Sequence, residues 1–421
     1  MLDVDADVNR LLAGDSRLLA DPYPTWNHLR TVAPVLRMGE TVILSRHRDV
    51  KRLISDNNEY YSRAQNRNSS RFRQARESFS PAGQAAFDRF MDHEYRQVVR
   101  MDPPDHPRIR KLMLPPLSMR AIARNMSERV QARVDSMMKS LHAGGSGVVD
   151  FKTLSYALSL GVLGDILGIN LTEIELIHQW SAVLAEGKLN AESEDKALGA
   201  DQVYGELMDY IAELLYRAGE SAEPSGGLLS ALVRAEQADS LSWSELEEMV
   251  ALLIFAGHET TSNLLTIGVL ELLRRPGEWT RLVEEPALIP GAVEELLRFV
   301  TPSQFVQQVA VQDHLIDDHE IHRGDTVIGV LAAANRDPQV FDRPDVLDIR
   351  RDDAREHLAF GIGPHFCVGA NLARMEATMV FRGLIAHFPE PRLAMEELHW
   401  SGRLFRSPES LPLIPLPEAV R

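Results

Sequence analysis

His357-Leu-Ala-Phe-Gly-Ile-Gly-Pro-His-Phe-Cys-Val-Gly-Ala-Asn-Leu-Ala-Arg374 carries the only cysteine of the chain, Cys367. Gly361, Gly363 and Gly369 surround it. They permit a tight loop whose backbone a second body can approach closely. An apolar helical pattern begins near Val368, and a helix start offers its positive end to a negative sulfur. Both effects favour a thiolate, the metal-binding form of cysteine. A buried structural cysteine is the bland alternative. A hydrolase using Cys367 with His365 is another, but residues two apart in a tight loop do not easily reach nucleophile–base geometry.

Upstream, Ser242-Trp-Ser-Glu245 has the form of a capping box and opens a helical pattern over 242–274. One helix of that length would span roughly 50 Å. Its middle reads Phe255-Ala-Gly-His-Glu-Thr-Thr-Ser262. Gly257 costs about 1 kcal/mol there relative to Ala. Thr260 can bond back to the Ala256 carbonyl and loosen the ladder. Leu252, Ala256 and Thr260 stand four apart and share a face. The pattern suggests a buried polar notch; a kinked core helix with solvated hydroxyls is the alternative. Glu295 and Arg298 also share a helix face, and an exposed pair of that kind contributes less than about 1 kcal/mol. Asp102-Pro-Pro-Asp-His-Pro-Arg-Ile-Arg-Lys111 starts a helix, with His106 and Arg110 on one side. Over 62–86, Arg63, Arg67, Arg71, Arg73 and Arg76 face a single acid, Glu77. That is either a solvated face or an attraction for an anionic substrate or carrier protein.

The remaining chain reads as ordinary globular protein. Its 421 residues are 44% hydrophobic, ample for a large core. A formal charge of −16 argues against nucleic acid as a main partner. One cysteine excludes an internal disulfide and fits a reducing cytoplasm. The acidic N-terminus lacks an apolar signal core, and the longest apolar stretch, 249–256, is far below a membrane span. The expected elements are a proline-started helix over 21–30, a hairpin around Gly39-Glu40 and a short helix over 49–54. A polar, weakly periodic stretch follows over 62–100, then helices over 105–274 and 279–298, strands over 305–330 and a helix over 368–387. Loops are expected at 144–147 and 222–227. This is a mainly α (α+β) pattern with one domain over 1–421.

The cysteine loop, the Ala-Gly-x-Glu-Thr run at 256–260, Glu295-x-x-Arg298 and Ala334-Asn-Arg-Asp-Pro338 lie in one order along nearly the whole chain. In this the chain resembles the cytochrome P-450 family, bacterial type. The resemblance implies a helix-rich fold with small sheets that holds haem b (iron protoporphyrin IX), with Cys367 as axial ligand. It implies cofactor contacts at His106, Arg110, Ala256, Gly257, His357, Phe360, His365 and Gly369; His106, Arg110 and His357 would bind the propionates. Thr260 would hydrogen-bond dioxygen and Glu259 would help deliver protons. Glu295 and Arg298 would form a buried structural pair; in 343–348, where the family often adds a third polar partner, Val346 stands where an Arg is sometimes found, which leaves that partner open. Leu252, Phe255, Phe305, Val306 and Phe405 would line the substrate pocket.

Two departures stand out. Gln307-Gln308-Val-Ala310 occupies the place of a strand whose Arg, at the Gln308 position, usually reaches a propionate. Either the other donors carry more of the anchoring or a further base, such as Arg298 or Arg350, fills the place. Ile321-His-Arg-Gly324 replaces a Pro-containing turn. The implied activity is monooxygenation of a small organic molecule, a secondary-metabolite scaffold, without nucleic acid or membrane. No Gly-rich dinucleotide or flavin motif occurs, so electrons would come from a ferredoxin and its reductase, docking near Arg108, Lys111, Arg355 and Arg374. A peroxide-driven peroxygenase, a coupling or nitrating oxidase, and a non-catalytic helical binding protein are the alternatives.

Overall fold

The central helix, Glu259–Leu273, is buried at every position from Thr261 to Leu270. A helix apolar all round can be stable only inside a protein. It packs against the helices Phe151–Leu167, Ile289–Val300 and Ala370–His387. Gly268 makes the approach possible: a Cβ there would lie 3.1 Å from Phe381 and 3.3 Å from Leu296. Its buried hydroxyls find partners, as where Ser155 Oγ meets Thr266 Oγ1 at 2.7 Å. This computed structural model describes residues 4–145, 147–169, 173–189, 193–220, 228–238, 240–395 and 397–416. The loop expected at 222–227 lies outside them.

A five-stranded sheet stands beside the helices, in the order Val35–Met38, Thr41–Leu44, Thr326–Gly329, Val306–Ala310, Tyr61–Ser62. The first pair is the expected hairpin, turned at Gly39 with φ +61°. Thr41–Leu44 runs parallel to Thr326–Gly329; the other neighbours are antiparallel. A second apolar cluster, including Val42, Leu44, Val50, Leu53 and Val327, joins the sheet to the helix His47–Ser55. The Ala334–Pro338 motif is a junction: Asn335 donates to Thr301 Oγ1 (2.9 Å) and accepts from Leu358 N–H (2.7 Å), while Asp337 accepts from His47 N–H (2.8 Å).

One expectation needs correcting and one region gains definition. The weakly periodic 62–100 stretch is largely helical, with helices Ser70–Ser78 and Pro81–Arg96. Its polarity hid them: Arg67 pairs with Asp92 and Arg76 with Asp88, so charges form the outer face. The single helix expected over 242–274 is two, Trp243–Ala256 and Glu259–Leu273, broken at Gly257-His258. The capping box at Ser242 forms as expected.

Candidate active site

The Cys367 loop is held from within. Cys367 N–H donates to Phe360 O at 2.9 Å and Phe366 N–H to Gly363 O at 3.1 Å. Gly361 and Gly363 have φ +67° and +74°, which L side chains rarely adopt. A Cβ on Gly363 would also meet Ser55 Cα at 3.0 Å. The following helix begins at Ala370, so Gly369 and Ala370 present their N–H groups towards the sulfur. Cys367 is solvent-exposed although protein crowds it closely, as at the floor of a cleft. Burial pushes its thiol up, and the N–H groups of Gly369 and Ala370 with the charges of Arg110 and Arg374 only partly offset this. The helix end alone therefore does not make the expected thiolate. A metal cation would, because coordination deprotonates a thiol outright.

At the helix break, Ala256 is exposed beside the buried Phe255, and Leu252 and Thr260 on the same face are part-exposed. Thr260 Oγ1 donates back to Ala256 O at 3.3 Å, as the sequence suggested. Gly257 packs against Leu163, 3.0 Å from where a Cβ would stand. The break is pinned by His258, which sequence reasoning passed over. Its Nδ1 donates to Ile254 O at 2.7 Å, so Nε2 accepts from Tyr156 OH at 2.7 Å. Burial lowers this imidazole to about 4. Lys152 was also missed: its Nζ donates to Asn263 (2.6 Å) and Ser407 (2.8 Å), and Glu259 bears on its charge. Partners over a hundred residues away leave no local signal. Phe255 and Phe405 come together, ring centroids 6.0 Å apart, and Phe305 packs against the same core; Val306 flanks the sheet cluster.

His106 and Arg110 occupy one side of the helix Asp105–Met113 and reach the cysteine loop. The His106 ring lies 3.9 Å from that of His365, and Arg110 donates to Phe366 O. Burial lowers His106 to about 4, aided by the charges of Arg110 and Arg63 and opposed by Asp102. Burial, with Arg63, His106 and Arg110, takes His365 to about 2. Arg63 itself is lowered by burial to about 10.

His357 is placed otherwise than expected. Its Nδ1 accepts from Ala359 N–H (3.1 Å) and its Nε2 donates to Glu294 (3.2 Å), so both nitrogens are engaged. Arg374 forks onto the same carboxylate at 2.7 and 3.0 Å and lies over Phe360, 4.6 Å from its centroid. Burial pushes Glu294 up, but His357 and Arg374 outweigh it and hold the carboxyl at about 2, against an ordinary 4.5. A depressed carboxylate stabilises the fold fully above its unfolded value and loses that contribution as pH falls through the folded one. Wild type should therefore lose its melting-temperature advantage over Glu294→Gln between pH 4.5 and 2. A gap constant across that window would show that this carboxylate does not carry the effect.

Glu295 and Arg298 are fully buried and fork together at 2.6 and 2.8 Å. The third partner is Arg351, whose Nε donates to Glu295 at 3.2 Å, not a side chain from 343–348. That stretch contributes carbonyls instead: Arg298 donates to Pro344 O (2.8 Å) and Val346 O (3.2 Å). The exposed-pair alternative fails here. A separate cavity of about 460 Å³, lined by Leu117, Ile122, Leu214 and neighbours, contains none of these groups.

Cys367 offers one exposed soft donor, with the imidazole of His365 and the guanidinium of Arg110 on its loop, and the helix break at Gly257 carries the Thr260 hydroxyl. The donor set fits an iron porphyrin bearing carboxylates: one soft ligand, and cationic groups for the acids. The family model described as "Cytochrome P450" matches residues 196–391. Nocardicin C N-oxygenase of Nocardia uniformis subsp. tsuyamanensis is 33% identical, over 93% of this chain and 95% of its own. Vitamin D(3) 25-hydroxylase of Pseudonocardia autotrophica is 34% identical, over 93% of each. The crystal structure of Mycobacterium smegmatis CYP164A2 superposes with a TM-score of 0.84 at 30% identity, covering 97% of this chain and 99% of that one. The chain belongs to the cytochrome P450 family of haem-thiolate oxidoreductases. It is a monooxygenase by that membership, and no helix among the described residues is long and apolar enough to cross a membrane.

Proposed function

We propose that this P450 inserts one atom of dioxygen into a secondary-metabolite scaffold, using haem b held by Cys367 and electrons from a ferredoxin and its reductase. The observation that carries the reading is Cys367, accessible yet closely surrounded by protein, with the N–H groups of Gly369 and Ala370 near its sulfur. Haem bound there supplies dioxygen reduction and cleavage, favoured by electron donation from the thiolate. His106, Arg110 and His365, which meet at the cysteine loop, would hold its carboxylates. Phe360 and Gly369 of that loop and Ala256 and Gly257 of the helix break would contact it.

Thr260 and Glu259 manage protons. The Thr260 hydroxyl, parked on the Ala256 carbonyl, is held at the exposed notch. Glu259 begins the second half-helix, where Lys152 bears on it electrostatically. Glu259 is part-exposed, so its carboxylate would relay protons between solvent and the notch. Thr260→Ala should retain haem and substrate but divert electrons: peroxide release rises severalfold against product. Unchanged coupling would shift the role to Glu259 or Thr261. This arrangement favours dioxygen over peroxide, and turnover on hydrogen peroxide as fast as with the reductase system would overturn the choice.

Phe255 and Phe405, in contact, with Leu252 and Phe305 on the same apolar core and Val306 beside the sheet cluster, would give an apolar wall that suits a large, mostly hydrocarbon substrate. The relative named for vitamin D(3) supports a scaffold of that kind, and the one named for nocardicin C supports a small organic molecule. The anion-attracting reading of the 62–86 arginines loses support, since Arg67 and Arg76 are matched by Asp92 and Asp88. For ferredoxin docking, Lys111 and Arg355 are exposed, while Arg108 is tied to Glu245 and Arg374 to Glu294. Charge reversal at Lys111 and Arg355 should slow reduction, most at low salt. A rate insensitive to both would move the docking face elsewhere.

A further inference from the structure

We propose that Arg63 is a propionate donor of the haem site, standing in for the arginine that Gln308 replaces; this rests on the haem-binding reading above. Gln308 is not free to serve. It is buried, and its amide donates to Leu53 O at 3.1 Å. The other two candidate bases are committed as well, Arg298 to Glu295 and Arg350 to Glu285.

The sheet brings Arg63 to the edge of the same strand. Tyr61 pairs with Ala310 and Ser62 with Val309 in an antiparallel ladder. The ladder ends there: Arg63 has helical dihedrals, φ −87° and ψ −40°, and leads into the turn Ala64–Asn68. That turn packs against the strand Val306–Ala310, where Gln307 donates to Asn66 Oδ1 at 2.8 Å. Arg63 thus follows directly on the strand that neighbours Gln308. Asp102 then ties Arg63 to the proposed donor helix. Its Oδ1 accepts from Arg63 N–H at 3.0 Å, its Oδ2 accepts from the Ser62 hydroxyl, and its backbone carbonyl accepts from His106 N–H at 3.0 Å. The Asp102 carboxylate is therefore occupied with the backbone and hydroxyl of 62–63. Arg63 Nε is buried and has no hydrogen-bond partner among the described residues. A buried guanidinium donor without an acceptor is costly unless a ligand supplies one. Arg63 and Arg110 form a cationic pair beside the neutral imidazoles of His106 and His365, to which a carboxylate is the matching ligand.

The test measures haem transfer from the holoprotein to an acceptor globin. Arg63→Gln should accelerate transfer of iron protoporphyrin IX at least about tenfold, and Arg63→Lys should do so less. Gln308→Arg should not slow transfer, because a second cation would oppose Arg63. The same proteins loaded with the haem dimethyl ester, which has no carboxylates, should show no difference between wild type and Arg63→Gln. A difference that persists with the ester would mean that Arg63 only supports the fold. Wild-type rates in Arg63→Gln, with slower loss in Gln308→Arg, would overturn the proposal. Should Arg63→Gln not fold, Arg63→Lys with the acid and ester haems makes the same comparison. A wild-type protein that takes up neither haem would defeat the haem reading itself, a result distinct from the others.

Discussion

Cys367→Ser abolishes monooxygenation and removes the red-shifted absorption of the reduced carbon monoxide complex. In the metal-free protein, burial already disfavours a charged sulfur. Metal binding must supply the charge that the Gly369 and Ala370 N–H groups and the guanidinium groups of Arg110 and Arg374 supply only in part. A serine hydroxyl is far harder to deprotonate than a thiol, so the same surroundings cannot make it an anionic donor. Activity should fall to background while the fold survives, because the loop is held by backbone bonds such as Cys367 N–H to Phe360 O, which serine retains. A serine variant that kept the carbon monoxide spectrum would displace Cys367 as the ligand.

Arg298→Ala prevents recovery of folded protein. The guanidinium is wholly buried and donates to Glu295, Asn335 O, Pro344 O and Val346 O. Its removal strands the Asn335 and Pro344 carbonyls, leaves Val346 O with Arg351 alone, and leaves Glu295 with Arg351 and the Asp348 N–H. Breaking a buried pair from one side costs about 3–5 kcal/mol. A domain's whole stability is about 5–15 kcal/mol. Arg298→Lys should rescue little, since an ammonium cannot reproduce the fork and its carbonyl contacts. Thermal unfolding and the haem content of purified protein give the measure. A variant melting within a few degrees of wild type would show that Arg351 and water replace the guanidinium.

The pH dependence expected of Glu294 follows similar logic at a less buried site. The carboxylate links the His357 ring just before the cysteine loop to Arg374 in the helix just after it. It acts as a clamp on the two ends of the loop. The resemblance placed His357 on the cofactor, because a sequence motif records that a histidine stands there but not which way its ring turns.

Local patterns determined much of this protein. Gly361 and Gly363 ahead of one cysteine already specify the loop, because backbone conformations with positive φ leave few other residues possible. The Ser242 capping box, the hairpin at Gly39 and the Thr260-to-Ala256 bond are likewise short-range, and each was legible from residues at most four apart. What tertiary structure alone decided is long-range. The helix over 242–274 breaks at Gly257 because Leu163 packs there and Tyr156 holds His258, and both come from another helix. The 62–100 region is helical because Asp88 and Asp92 answer its arginines and Phe72, Phe87 and Phe90 find the core. Arg351, Lys152 and Arg63 joined the site only when the chain brought together residues tens to hundreds apart. A charge buried in protein is tolerable only beside its partner. The sequence names which residues can bear charge, whereas the packing chooses which partner each one meets.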